Sequence, residues 1–350
     1  MRAWVLHEWG ARPVLEQAAD PEPAPGAAVV EVAACGVGLT TRNCTRGDLG
    51  DDPGLLPVVP GHELVGTVIA VGAGADPDLL GALVTPHFYL FCGRCRRCLG
   101  GEEPLCERPG GVIGVHRDGG LAEQVALPAR NLVRLPAGVG AAEATVIADA
   151  VATPVHVARR AGIVPASRVA VLGAGGGVGA HMVQVAAVAG AAVLGLDVDP
   201  RKLAVLERDL GVAAADASDL GRARLPAAWR GGADVIVDLV GSPETAAWGL
   251  AHLDAGGRLV LLTTFRGIAA RVEPRDMVLR QASVLGSRYA SRAEILDAAD
   301  LVRRGAVRPV IGARTGLAGA AALLGRIDSN DVPGRGVVIA RAATGGPADG

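Results

Sequence analysis

Cys92, Cys95, Cys98 and Cys106 fall within one short loop. Four soft thiolates at this spacing match a closed tetrahedral Zn²⁺ site. Such a site has no open coordination position, so its metal ties the loop and does no chemistry. An iron–sulfur cluster also takes four thiolates and stands as the competing metal. The loop carries Arg94, Arg96, Arg97, Glu102 and Glu103, a polar setting that argues against four thiols buried in a core. A second chemical signal is Gly173-Ala174-Gly175-Gly176-Gly177-Val178-Gly179. Gly173, Gly176 and Gly179 are spaced three apart, as a tight turn needs where an anion must approach bare backbone at a helix N-terminus. Asp197 lies about twenty residues on, where a carboxylate accepts from the ribose hydroxyls of NAD and repels the extra phosphate of NADP. Lys202 follows in the same cofactor-binding region. Gly61-His62-Glu63 sets an imidazole beside a carboxylate.

These groups need elements to hold them. Val169–Leu172 reads as a buried strand, followed by a helix over Gly177–Ala189 and a second strand over Ala192–Leu196. Further strands are expected at Val212–Ala214, Val235–Leu239, Arg258–Thr263 and Ser283–Gly286, with helices at Pro200–Asp209 and Glu244–Leu250. This alternation implies a parallel sheet covered on both faces. Residues 1–140 read differently. A hairpin over residues 1–20 is expected at a sheet edge, then strands at Ala28–Ala33, Leu64–Val71 and 82–91, with a loop or short helix start over Cys35–Asn43. Gly and Pro turns between them suggest a barrel-like β arrangement. Ala141–Ala161 is alanine-rich and helical, with a break expected at Pro154. Ser291–Arg304 reads as a capped helix, Gly336–Ala340 as β, and Ala343–Gly350 as a disordered tail.

The 350 residues allow two cores, and a net charge of −2 offers no basic field for nucleic acid or anionic membrane. Lys202 is the only lysine. The N-terminal residues lack a signal peptide's apolar run, and no stretch is long enough to span a membrane. A cytoplasmic, reducing setting is expected, in which cysteines serve metals or catalysis.

Together these residues resemble the zinc-containing medium-chain alcohol dehydrogenases over nearly the whole chain. The marks are the Pro21–Gly26 entry, Gly61-His62-Glu63, the four-cysteine lobe, Gly119-Gly120 followed by Ala122-Glu123, and the nucleotide fold with Asp197. Ala148–Pro154 is similar to the branch acting on cyclic acyl-CoA alcohols. The resemblance implies an α/β plus β fold: a GroES-like β-barrel catalytic domain over residues 1–150 with the zinc loop at 92–106, a Rossmann doubly wound sheet over 151–288, and a return to the catalytic domain over 289–350. It implies a small-molecule substrate and a homodimer or homotetramer.

In that family a catalytic zinc is held by a cysteine, a histidine and a third acidic or thiol ligand, and polarises the alcohol oxygen. His62 matches the histidine, Glu63 the neighbouring acid, Asp149 the third position and Thr40 the hydroxyl that passes on the proton. Gly38 stands where the cysteine belongs, Thr41 replaces an aspartate, and Asn43 stands at a proton-relay histidine. Cys35 and Cys44 read as small core residues. His7, His87, His116, His156, His181 and His252 read as structural or solvent-facing. Zinc at this second site is expected to be weak or absent, and Gly38→Cys to restore it. The leading reading is an NAD-dependent alcohol or ketone oxidoreductase. The alternatives are a catalytic-zinc-free reductase of an activated C=C bond and a non-catalytic nucleotide-binding protein.

Overall fold

A computed structural model describes residues 1–263 and 267–341. The tail expected at Ala343–Gly350 lies outside them. The chain divides into two units. Among the described residues the first comprises 1–148, 291–303 and 311–341, and the second those within 149–290 and 304–310.

The second unit is built on six parallel strands. Their order is Ala213–Asp216, Ala192–Asp197, Arg168–Leu172, Ala233–Asp238, Leu253–Leu261, Ser283–Gly286. The chain starts in the middle and winds outward in both directions, so the carboxyl ends of Arg168–Leu172 and Ala233–Asp238 flank a switch point, the usual crevice for a ligand. Alternation within each strand explains the burial of both faces. Val169, Val171, Val235 and Val237 pack in one core with Met182, Val183 and Leu206. Ala170, Leu172 and Ile236 join the opposite core with Leu196, Trp248 and Leu259. Residues 304–310, expected with the catalytic domain, belong to this unit. The His181 Nε2 accepts from the Val310 N–H at 3.1 Å, and Gln184 exchanges two hydrogen bonds with the Arg308 backbone.

The first unit centres on the long strand Ala27–Val37. It pairs antiparallel with Glu63–Val71 on one side, and with Gln124–Pro128 and Arg335–Ile339 on the other. Leu83–Pro86, Leu132–Arg134 and Ile311–Gly316 complete a seven-stranded sheet. The N-terminal hairpin, Arg2–Val5 with Val14–Gln17, forms a small sheet of its own rather than an edge of the large one. The expected strand over 82–91 is two pieces, Leu83–Pro86 and Tyr89–Leu90, because the second pairs away with Gly111–Val112 beside the cysteine loop. Cys35-Gly36-Val37, expected as loop, is the end of the central strand, and a helix runs over Leu39–Thr45.

The alanine-rich stretch does not break at Pro154. Helix Ala141–Ala144 gives way to a π-turn over Ile147–Val151, and helix Ala152–Ala161 then contains Pro154 in its first turn. Pro154 follows directly on the π-turn, and the residue four before it, Ala150, lies in that irregular segment rather than in a regular α-helical ladder. The irregular residues are those around Asp149, and π-bulges of this kind concentrate at functional sites.

Candidate active site

The four thiols of the cysteine loop converge. Cys95 Sγ lies 3.4 Å from Cys98 Sγ and 4.0 Å from Cys106 Sγ, and Cys92 Sγ lies 3.9 Å from Cys98 Sγ. Backbone N–H groups of Cys92 and Arg108 point at the Cys106 sulfur. The Arg94 N–H is foremost among the donors that hold the Cys92 thiol down at about 6, and the Cys98 N–H is foremost in lowering Cys95. Burial pushes Cys98 up to about 12. A divalent cation is what reconciles four thiolates at this distance, and the donor set fits a structural zinc.

The nucleotide loop is shaped by close contacts. Gly173 follows its strand at φ +77, where a Cβ would be strained, and its N–H donates to the Leu196 carbonyl. A Cβ on Gly179 would lie 2.2 Å from the Gly173 carbonyl oxygen. One on Gly175 would lie 2.3 Å from Lys202 Cβ and 3.0 Å from the Asp197 carboxylate. Gly176 meets only the Gly173 oxygen, at 3.4 Å. The constrained glycines are therefore Gly173, Gly175 and Gly179, not the three-apart set with Gly176. The helix starts at Gly179, after Val178 at its N-cap, rather than at Gly177. The Gly177 carbonyl lies 2.6 Å from the His181 ring.

Asp197 ends its strand with the carboxylate fixed. One oxygen accepts from the Gly175 N–H at 2.8 Å. The other accepts from the Val198 and Asp199 N–H groups at 2.8 and 3.2 Å. The Gly175 amide is thus turned to Asp197 and is not among the amides open to a phosphate. Two carboxylate oxygens have about four lone-pair positions, and these bonds use three. Asp199 caps the next helix and also pairs with Arg201 at 2.8 Å, which binds the nearest arginine away from the loop.

Glu63 opens the strand beside the central one, and His62 comes just before it. Register places Glu63 opposite Gly36, and Arg335 one step beyond the Gly336–Val37 pair, alongside Gly38. Glu63 and Arg335 are buried, 1% and 4% exposed, and form an ion pair. Gly36 and Gly38 are two apart on one face of the strand, and they make the room for it. A Cβ on Gly36 would lie 2.4 Å from the Glu63 carboxylate, and one on Gly38 only 2.1 Å from Arg335 Nη1. Gly38 has φ −157 and ψ −167, extended backbone open to any residue, so glycine is needed here for space alone.

His62 Nε2 is 3.7 Å from Glu63, beyond hydrogen-bond range, and its ring meets Phe88 edge-on at 4.7 Å. Asp149, at which the division between units falls, accepts from Thr153 Oγ1 at 2.6 Å. His62 and Glu63 belong to the first unit and Asp149 to the second. Thr40 is half-buried in the first turn of Leu39–Thr45. Cys35 is buried under Gly61 and Gly120, with its thiol pushed up by burial and by the nearby Glu63 charge. Cys44 is buried in its helix. Neither joins a candidate metal group among the described residues.

The space of the absent thiolate ligand is filled by a guanidinium, and Glu63 already has a cation. Arg335 escaped the sequence reading because it begins an apolar strand far along the chain; the only hint was glycine at both Gly36 and Gly38.

The family model described as Alcohol dehydrogenase GroES-like domain matches residues 24–137, and that described as Zinc-binding dehydrogenase matches residues 177–304. An alcohol dehydrogenase of Geobacillus stearothermophilus is 30% identical over 317 residues, 89% of this chain and 91% of its own. The chain belongs to the zinc-type medium-chain dehydrogenase family. This dehydrogenase is also similar to an acryloyl-coenzyme A reductase of Metallosphaera sedula, 29% identical over 83% of this chain and 86% of the relative. A solved structure described as an NAD-dependent alcohol dehydrogenase superposes with a TM-score of 0.88 at 29% identity, covering 97% of this chain and all of the other. The first unit is accordingly the GroES-like domain and the second the Rossmann domain of an NAD(P)-dependent dehydrogenase/reductase.

Proposed function

We propose that this dehydrogenase moves hydride between NAD(H) and a small secondary alcohol or ketone. The observation that carries the reading is the Asp197 carboxylate, fixed beside the Gly173–Gly179 loop with one acceptor position left for a ribose hydroxyl. A carboxylate there opposes the 2′-phosphate of NADP. In the reductive direction hydride leaves C4 of the nicotinamide and adds to the substrate carbon. The C=O π pair moves to oxygen, and a proton completes the alcohol. Thr40 and His62 are the proposed proton-passing groups, with Glu63 and Asp149 setting the local charge.

A second reading is favoured by one specific observation, the guanidinium at Gly38. Without a Lewis acid on the oxygen, hydride addition to the β-carbon of an activated C=C bond, with protonation at the α-carbon, fits the same groups. The similarity to an acryloyl-coenzyme A reductase supports it. Reducing cyclohexenone with NADH separates the two. Cyclohexenol as product carries the first reading, cyclohexanone the second, and no NADH oxidation with either cyclohexanone or cyclohexenone counts against both.

We also place the chain in the cytoplasm, supported by six cysteines without a disulfide among the described residues. No described helix is long and apolar enough to cross a membrane. Self-association is supported by the edge strand Ser283–Gly286 and by Val278 and Leu279, 74% and 68% exposed on the preceding helix.

A further inference from the structure

We propose that the guanidinium of Arg335 takes the place of the catalytic zinc and its thiolate ligand, so that this enzyme carries one zinc ion per chain and a fixed organic cation at its second site. The inference rests on the oxidoreductase reading for the meaning of the site, though not for its chemistry. Three neighbouring strands build the arrangement. Arg335 opens Arg335–Ile339, Gly36 belongs to Ala27–Val37 with Gly38 just past its end, and Glu63 opens Glu63–Val71. Each glycine clears the space for one half of the ion pair.

The exclusion of metal follows from sterics and charge. A side chain at Gly38 would have to start 2.1 Å from Arg335 Nη1 and 3.0 Å from its Cζ. The end of an arginine moves freely on a surface, but this one is buried and paired, and moving it would separate two buried charges. Guanidinium does not deprotonate in a protein, so its charge persists at every working pH. Zn²⁺ beside it would meet like-charge repulsion in a low-dielectric setting and would compete for Glu63. Gly38→Cys alone, expected from the sequence to restore zinc, therefore does not do so.

The test counts zinc by elemental analysis in the full chain, after incubation with zinc chloride and dialysis against metal-free buffer. The wild type, Gly38→Cys and Gly38→Cys/Arg335→Met are compared, and circular dichroism and NADH fluorescence titration are run on each preparation. The expected counts are one, one and two zinc ions per chain. Two ions in the wild type, or in Gly38→Cys alone, would overturn the proposal. So would a folded double variant that stays at one. Should the double variant not fold, the first two counts still decide, and cobalt titration of Gly38→Cys reads the same site: a new thiolate-to-cobalt absorption band would overturn the proposal, and its absence supports it. NADH binding is a separate readout. Its loss in the wild type counts against the oxidoreductase reading and leaves the metal counts intact.

Discussion

Replacing Gly38 with alanine adds one methyl group at a backbone angle any residue accepts, so its cost isolates the packing against Arg335. The new Cβ would sit 2.1 Å from Nη1, whereas ordinary contact begins at 3.4 Å, so the guanidinium must retreat by 3.4 − 2.1 = 1.3 Å. A shift of that size takes a charge-assisted hydrogen bond out of range. Breaking a buried ion pair from one side costs about 3–5 kcal/mol, and partial relaxation should bring the loss for Gly38→Ala to about 2–4 kcal/mol. Urea unfolding of the wild type and Gly38→Ala measures it. The same substitution in an Arg335→Met/Glu63→Gln background completes a double-mutant cycle, and there the penalty should fall below about 1 kcal/mol because the obstructing head group is gone. A Gly38→Ala protein within about 0.5 kcal/mol of wild type, the range of an unremarkable surface change, would refute the steric reasoning. An equal loss in both backgrounds would refute the assignment to Arg335.

Cys95→Ser should strip the zinc of the cysteine loop and lower the melting temperature while NADH affinity holds; full metal content with unchanged melting would contradict the structural site. Arg168 bridges Asp234 and Asp254 at 2.6 Å each. Arg168→Ala should cost about 1–2 kcal/mol after allowing for the partial exposure of all three side chains. The arginine's hydrogen bonds are the foremost cause lowering both carboxyls, so their folded values lie below the unfolded ones. Their contribution is therefore present above about pH 4 and lost as pH falls through the depressed folded values, so the wild type and Arg168→Ala should converge in stability on the acid side. A gap that widens on acidification would show the wrong sign.

The parts of the molecule governed by local rules were legible in the sequence. Val169–Leu172 and Val235–Leu239 lie within two residues of the observed strands because their apolar runs are buried on both faces. The cysteine loop was legible because its four ligands are close in sequence. What stayed hidden depends on register between distant strands. Nothing near Arg335 shows that it will lie beside Gly38, almost three hundred residues earlier, until Gly336 is paired with Val37. The sequence shows that Gly38 offers no side chain, but not that the space it leaves belongs to another strand. The choice among the loop glycines likewise turned on Lys202 and Asp197, which the spacing of the loop does not reveal. Pro154 misled because the irregularity lies before it, in the π-turn over Ile147–Val151, and the chain stays helical from there through Ala161.

The loop and Asp197 are proposed to form the site that selects NAD(H). Fluorescence titration of the wild type and Asp197→Ala with NADH and with NADPH tests it directly. The wild type should bind NADH at one per chain and at least about tenfold more tightly than NADPH, a difference of about 1.4 kcal/mol, and Asp197→Ala should narrow that gap. Tighter binding of NADPH by the wild type, or no binding of either, would contradict it.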